Sequence, residues 1–94
     1  MKKYLKLAQV RALLADMEGE LGLSELSAVE RDVLYAFTEA AERQSTIATR
    51  DVMSHPLVTP ISRPTVFRAI DRLKARGLLQ HVEGRERGLY TLTG

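Results

Sequence analysis

The chemistry this chain is equipped for is recognition by arginine. Arg68 and Arg72 lie one helical turn apart within the stretch 62–76, on the side away from Val66, Ala69, Ile70 and Leu73. At about 100° per residue, Thr65 and the small Ala75 share their side. A guanidinium is always charged and carries several fixed donors, so such a face suits an anionic surface. An ordinary solvated face, with Asp71 pairing Arg68, is the competing reading. Bond-breaking chemistry is not expected. The sequence offers no Ser–His–Asp arrangement, glycine-rich phosphate loop or pair of catalytic carboxylates, and His55 and His81 lack ligand-spaced neighbours for a metal. No enzyme activity, cofactor or metal site is therefore expected.

The elements that must hold those arginines can be read from both sides. Ser62 is placed to cap a helix, Pro64 occupies a position where its missing N–H costs nothing, and Gly77 can supply the left-handed residue that closes the far end. Upstream, Thr46–Ala48 reads as a short strand, and Thr49 reads as the cap of a short helix starting at Arg50 with Val52 and Met53 buried. Pro56 and Pro60 bound the connection. Downstream, the period changes to alternation. Residues 79–83 and 89–93 read as two strands around the charged turn Gly84-Arg85-Glu86-Arg87-Gly88. Pairing with residues 46–48 would give that marginal hairpin a third strand.

Two further helices precede this half. Residues 2 to about 18 carry a heptad-like seam of Leu7, Val10, Leu14, Met17 and Leu21, which Gly19 and Gly22 are expected to end. The seam packs either on its own domain or, as we favour, on a second copy, because a small chain gains by sharing apolar surface. Ser27-Ala28-Val29-Glu30 has the form of a capping box. It opens a core helix to about Arg43, with Val29, Val33, Phe37 and Ala40 inward and Glu30, Asp32, Glu39 and Glu42 outward.

Bulk properties agree with a small binding protein. Ninety-four residues make one compact unit, here divided into an N-terminal helix at 1–23, expected to dimerise, and a domain at 24–94. The formal charge of +2 is unevenly spread. Residues 1–49 hold six basic and eight acidic side chains (−2), and residues 50–94 hold eight and four (+4). The positive half is the one with the arginine face. No cysteine is present, which removes disulfides and thiolate metal sites. No apolar run reaches the length of a membrane span, and the charged N-terminus does not read as a signal peptide. A soluble, cytoplasmic protein is expected.

Helix, helix, short strand, helix, helix and hairpin is the order of a winged helix, a mainly α fold with a small β-hairpin wing. The chain resembles the MarR-like winged helix-turn-helix regulators of bacterial transcription. The resemblance rests on Ser62-Arg63-Pro64-Thr65-Val66-Phe67-Arg68-Ala69-Ile70-Asp71-Arg72-Leu73, on Gly77-Leu78-Leu79, and on the arginine-bearing turn leading to Leu92-Thr93, and it spans about residues 27–93. It implies sequence-specific binding of double-stranded DNA by a homodimer, with helix 62–76 in the major groove and the wing at 84–88 by the minor groove. Arg63, Thr65, Phe67 and Arg68 would then approach base edges, Ser62 and Arg72 would meet phosphates, and Arg85 or Arg87 would lie at the minor groove. The family continues past the wing into helices that complete its dimer. Here dimerisation would fall to the N-terminal seam, and a small-molecule effector pocket is doubtful. The Pro56–Pro60 connection is also longer than the family's usual turn. The same scaffold also serves as a protein-interaction or RNA-associated module without sequence-specific DNA binding, and that alternative stays open.

Overall fold

The computed structural model describes residues 2–82 and 88–93. Four α-helices and three short strands follow one another as α1 (Leu5–Glu20), α2 (Ala28–Ala40), β1 (Ile47–Ala48), α3 (Thr49–Met53), α4 (Arg63–Ala75), β2 (Leu79–His81) and β3 (Leu89–Leu92). Single 3-10 turns occupy Lys2–Tyr4 and Leu23–Glu25. The protein is mainly helical, with one small antiparallel sheet.

That sheet has the order β1-β3-β2. Ile47 faces Tyr90 on one side of β3, and His81 faces Tyr90 on the other. The expected third strand is therefore present, with β3 central. Thr49 N–H donates to Gly88 O at 2.9 Å, extending the β1–β3 seam by one residue. Gly88 has φ +73°, a left-handed conformation suited to glycine.

The core lies between α2, α4 and the sheet. Val33 and Phe37 of α2, Val66, Ile70 and Leu73 of α4, and Ile47, Val52 and Val58 are fully enclosed. The Phe37 ring meets Tyr90 edge-on at 5.8 Å. Burying each large side chain from α4 contributes about 1.5–3 kcal/mol. Three of them on one stripe hold that helix firmly and leave its other side to solvent. Leu57-Val58-Thr59 is turned, not extended, and Val58 plugs the core from the proline-bounded connection.

Helix ends follow the sequence in some places and depart from it in others. At α2 the capping box is complete: Glu30 N–H donates to Ser27 Oγ and Ser27 N–H to Glu30 Oε1, both at 3.1 Å. The helix closes at Ala40, short of Arg43. Gly77, with φ +79°, follows α4 as expected. Thr49, by contrast, is the first residue of α3 and not its cap. The Asp51 carboxylate takes the Ala48 N–H at 2.8 Å, so the acid in the first turn does the capping. Gly19 does not end α1, which runs on to Glu20. Gly22, at φ +75°, supplies the break.

Glu30 does not point outward. It is 9% exposed, and Asp32 is half-buried. The packing of α4 and the end of α1 against α2 covers both.

Most of α1 stands clear of the body. The radius of gyration, 14.5 Å, exceeds the roughly 12 Å of a compact chain this long, and the molecule measures 53 × 25 × 25 Å. Among the described residues of α1 only Glu18 is buried. Its Oε2 accepts from Tyr35 Oη and lies 3.5 Å from Arg31 Nε. Arg31 in turn donates through Nη1 to Leu26 O at 2.7 Å. One carboxylate thus pins the arm to α2. No helix among the described residues is long and apolar enough to cross a membrane.

Candidate nucleic-acid interface

Arg63, Phe67, Arg68 and Arg72 are all exposed along α4, whose Val66, Ala69, Ile70 and Leu73 are buried. The helix thus presents its basic side from a fixed base. That side is internally ordered. Ser62 Oγ donates to Thr65 Oγ1 at 2.8 Å, and Arg68 Nη2 donates to the same oxygen at 3.1 Å. Thr65 therefore holds Arg68 along the helix, three residues on. The expected alternative partner, Asp71, makes no ion pair among the described residues. Arg63 lies over the Phe67 ring, 5.6 Å from its centre, a second restraint one turn apart.

Ser62 departs from expectation. Its hydroxyl bonds to Thr65 Oγ1 and makes no side-chain cap, although its backbone is in the extended N-cap conformation. Val66 N–H takes the first backbone bond of the helix, to Ser62 O at 3.0 Å. Pro64 has no N–H. Arg63 and Thr65 therefore carry the first-turn donors that lie ahead of that bond, a setting that favours negative charge.

Arg72 is exposed but engaged. Its Nε lies 3.6 Å from Glu30 Oε2, the oxygen not used in the α2 capping box. A shallow groove of about 250 Å³ between α2 and α4 is lined by Ser27, Glu30, Thr65, Arg68 and Arg72. Glu30 is the acid in this groove that sequence reasoning placed wrongly. The Glu30–Arg72 contact is tertiary, and no spacing along the chain announces it. Arg85 and Arg87, the wing candidates, lie outside the described residues.

The larger concavity, about 380 Å³, lies elsewhere, at the C-terminal end of α2. Among its polar side chains, Glu39, Asp51 and His55 already have partners. His55 Nε2 sits 3.3 Å from Glu39 Oε2, and Gln44 Nε2 donates to Asp51 at 2.6 Å. Among the described residues no group of three or more His, Asp or Glu is placed to hold a metal.

The five seam residues of α1, Leu7, Val10, Leu14, Met17 and Leu21, are brought together on one side and are all exposed; Leu14, the least exposed at 38%, lines a shallow groove with Asp32, Tyr35 and Leu57. None of the five is buried on its own domain among the described residues. Leu13, at 60% exposure, widens the same stripe and was missed because it falls outside the heptad a and d positions.

Comparison with protein-family models, curated proteins and solved structures gave no significant match. The reading of the site therefore rests on the side chains themselves.

Proposed function

We propose that this chain is a winged-helix protein that binds double-stranded DNA in a sequence-specific manner, working as a homodimeric regulator of transcription. The observation that carries the reading is α4. Four apolar side chains lock one side in the core, while Arg63, Thr65, Phe67 and Arg68 line the first two turns of the other. A helix held this way enters the major groove with its N-terminal turns deepest. Arg63 and Arg68 then offer paired donors to guanine O6 and N7, and Phe67 an apolar ring to a thymine methyl. The Ser62 end and Arg72 face phosphates, which fix register without reading sequence. Arg85 and Arg87, between β2 and β3 in the sequence, add two cations for the flanking minor groove. The net +4 of residues 50–94 supports the same partner.

Selection from a pool of random duplexes tests this reading. Enrichment of a motif with two related half-sites is expected. A pool that stays unenriched would overturn it and favour a module that binds protein or RNA through the same face.

A further inference from the structure

The side of α1 that carries Leu7, Val10, Leu13, Leu14, Met17 and Leu21 is apolar and exposed, and none of these six is buried among the described residues. Its opposite edge is fixed: Glu18 is held by Tyr35 and Arg31 of α2, so the stripe cannot roll onto its own body. Charge along the helix then says what covers it. Lys2 and Lys3 lie in the turn that leads into it, Lys6 and Arg11 in its first half, and Asp16, Glu18 and Glu20 towards its end. Cations at an N-terminus and anions at a C-terminus oppose the helix dipole, so the arrangement weakens the helix alone. It is complementary to one thing, the same helix running the other way.

We propose that α1 pairs antiparallel with α1 of a second copy, about a two-fold axis passing close to Leu13. Lys6 and Glu20 both border the stripe on the Leu13 side, each seven residues (two turns) from it. The two-fold therefore brings Lys6 of each copy to Glu20 of the other, twice per dimer. In the apolar layers Leu7 meets Met17 of the second copy, and Val10 meets Leu14. A parallel pair of the same helices would instead set Lys6 beside Arg11 of its neighbour twice per dimer, with no Lys6–Glu20 pair. The antiparallel pair brings like charges together once, Arg11 opposite Arg11 on the far edge. Such a contact is isologous and closed, so it stops at two copies. This inference supplies the dimer contact of the proposed regulator but is independent of DNA, and its test contains none.

The absence of native cysteine makes the orientation directly readable. Single-cysteine variants of the full chain, Leu13→Cys, Lys6→Cys and Glu20→Cys, are treated with a short bis-maleimide after circular dichroism confirms their fold. Leu13→Cys should cross-link to itself, and Lys6→Cys should cross-link to Glu20→Cys in a mixture. Lys6→Cys alone should give several-fold less dimer than that mixture. Self-cross-linking of Lys6→Cys equal to the mixture would overturn the antiparallel arrangement. A monomeric mass for the native chain at concentrations of tens of micromolar would overturn the pairing altogether. As a second reading, Lys6→Glu and Glu20→Lys should each lower the dimer fraction several-fold, and the double reversal should restore it. Failure of the double variant to recover would also count against the ion pair.

Discussion

Arg72 Nε lies 3.6 Å from Oε2 of Glu30, and Oε1 of the same carboxylate accepts the Ser27 N–H that starts α2. One nearly buried acid therefore begins one helix and restrains a cation on another. In the proposed complex that carboxylate competes with a phosphate for Arg72.

Glu30→Gln separates the two roles, because glutamine keeps the oxygen that closes the capping box and loses the charge. Fold and melting temperature should change little. DNA affinity should rise a few-fold, and the dependence of log K on log salt should steepen by about one ion, as expected when one more cation meets a phosphate. Binding titrations at four salt concentrations measure this. An unaltered slope would show that Arg72 does not reach the backbone.

Tyr35 reports on the attachment of α1. Burial, and then the hydrogen bond and charge of Glu18, push its hydroxyl up to about 12. A folded-state value raised above the ordinary 10 means the contact contributes fully below pH 10 and is lost as pH climbs through 12. In a Tyr4→Phe/Tyr90→Phe variant, phenolate absorbance should titrate near that value. Adding Glu18→Gln should lower the midpoint part of the way, since burial remains. An ordinary midpoint in the first variant would contradict the attachment.

Gly88 ends the described part of the β2–β3 connection. A Cβ there would lie 2.9 Å from Thr49 Oγ1, and the backbone is left-handed at φ +73°. Gly88→Ala should therefore destabilise by about 1–2 kcal/mol from backbone conformation, with the Thr49 clash adding to it. Gly77→Ala, with a similar φ but open space around it, should lose only the conformational part. Denaturant unfolding of both variants compares them. Equal losses would mean Thr49 moves aside without cost.

Local signals made most of the architecture legible. Ser27 and Glu30 marked a helix start, Gly77 a stop, and the change from helical to alternating period located β2 and β3. The departures came from competing local hydrogen-bond partners and from contacts between distant elements. Ser62 was expected to cap because serine before a helix usually does, yet Thr65 offers its hydroxyl a nearer partner. Thr49 lost the capping role to Asp51, whose carboxylate reaches back over the first turn. Glu30 reads as a surface acid because Arg72 lies nowhere near it in the sequence, and the Tyr35 contact of Glu18 is also remote along the chain. Of the site, the exposed face of α4 could be read from periodicity. The Thr65–Arg68 and Arg63–Phe67 pairings could only be seen once rotamers were fixed.

Arg68 is the most direct test of the central claim. Its guanidinium is held by Thr65 on the exposed side of α4, and Arg68→Ala removes nothing from the core. Anisotropy titrations of the native chain and the variant should be run against the selected duplex and against duplexes changed at each position in turn. The variant should bind the selected duplex more weakly by about 1–3 kcal/mol and lose discrimination at one base pair while keeping it elsewhere. Unchanged affinity, or an equal loss on every duplex, would contradict a base-reading role for α4.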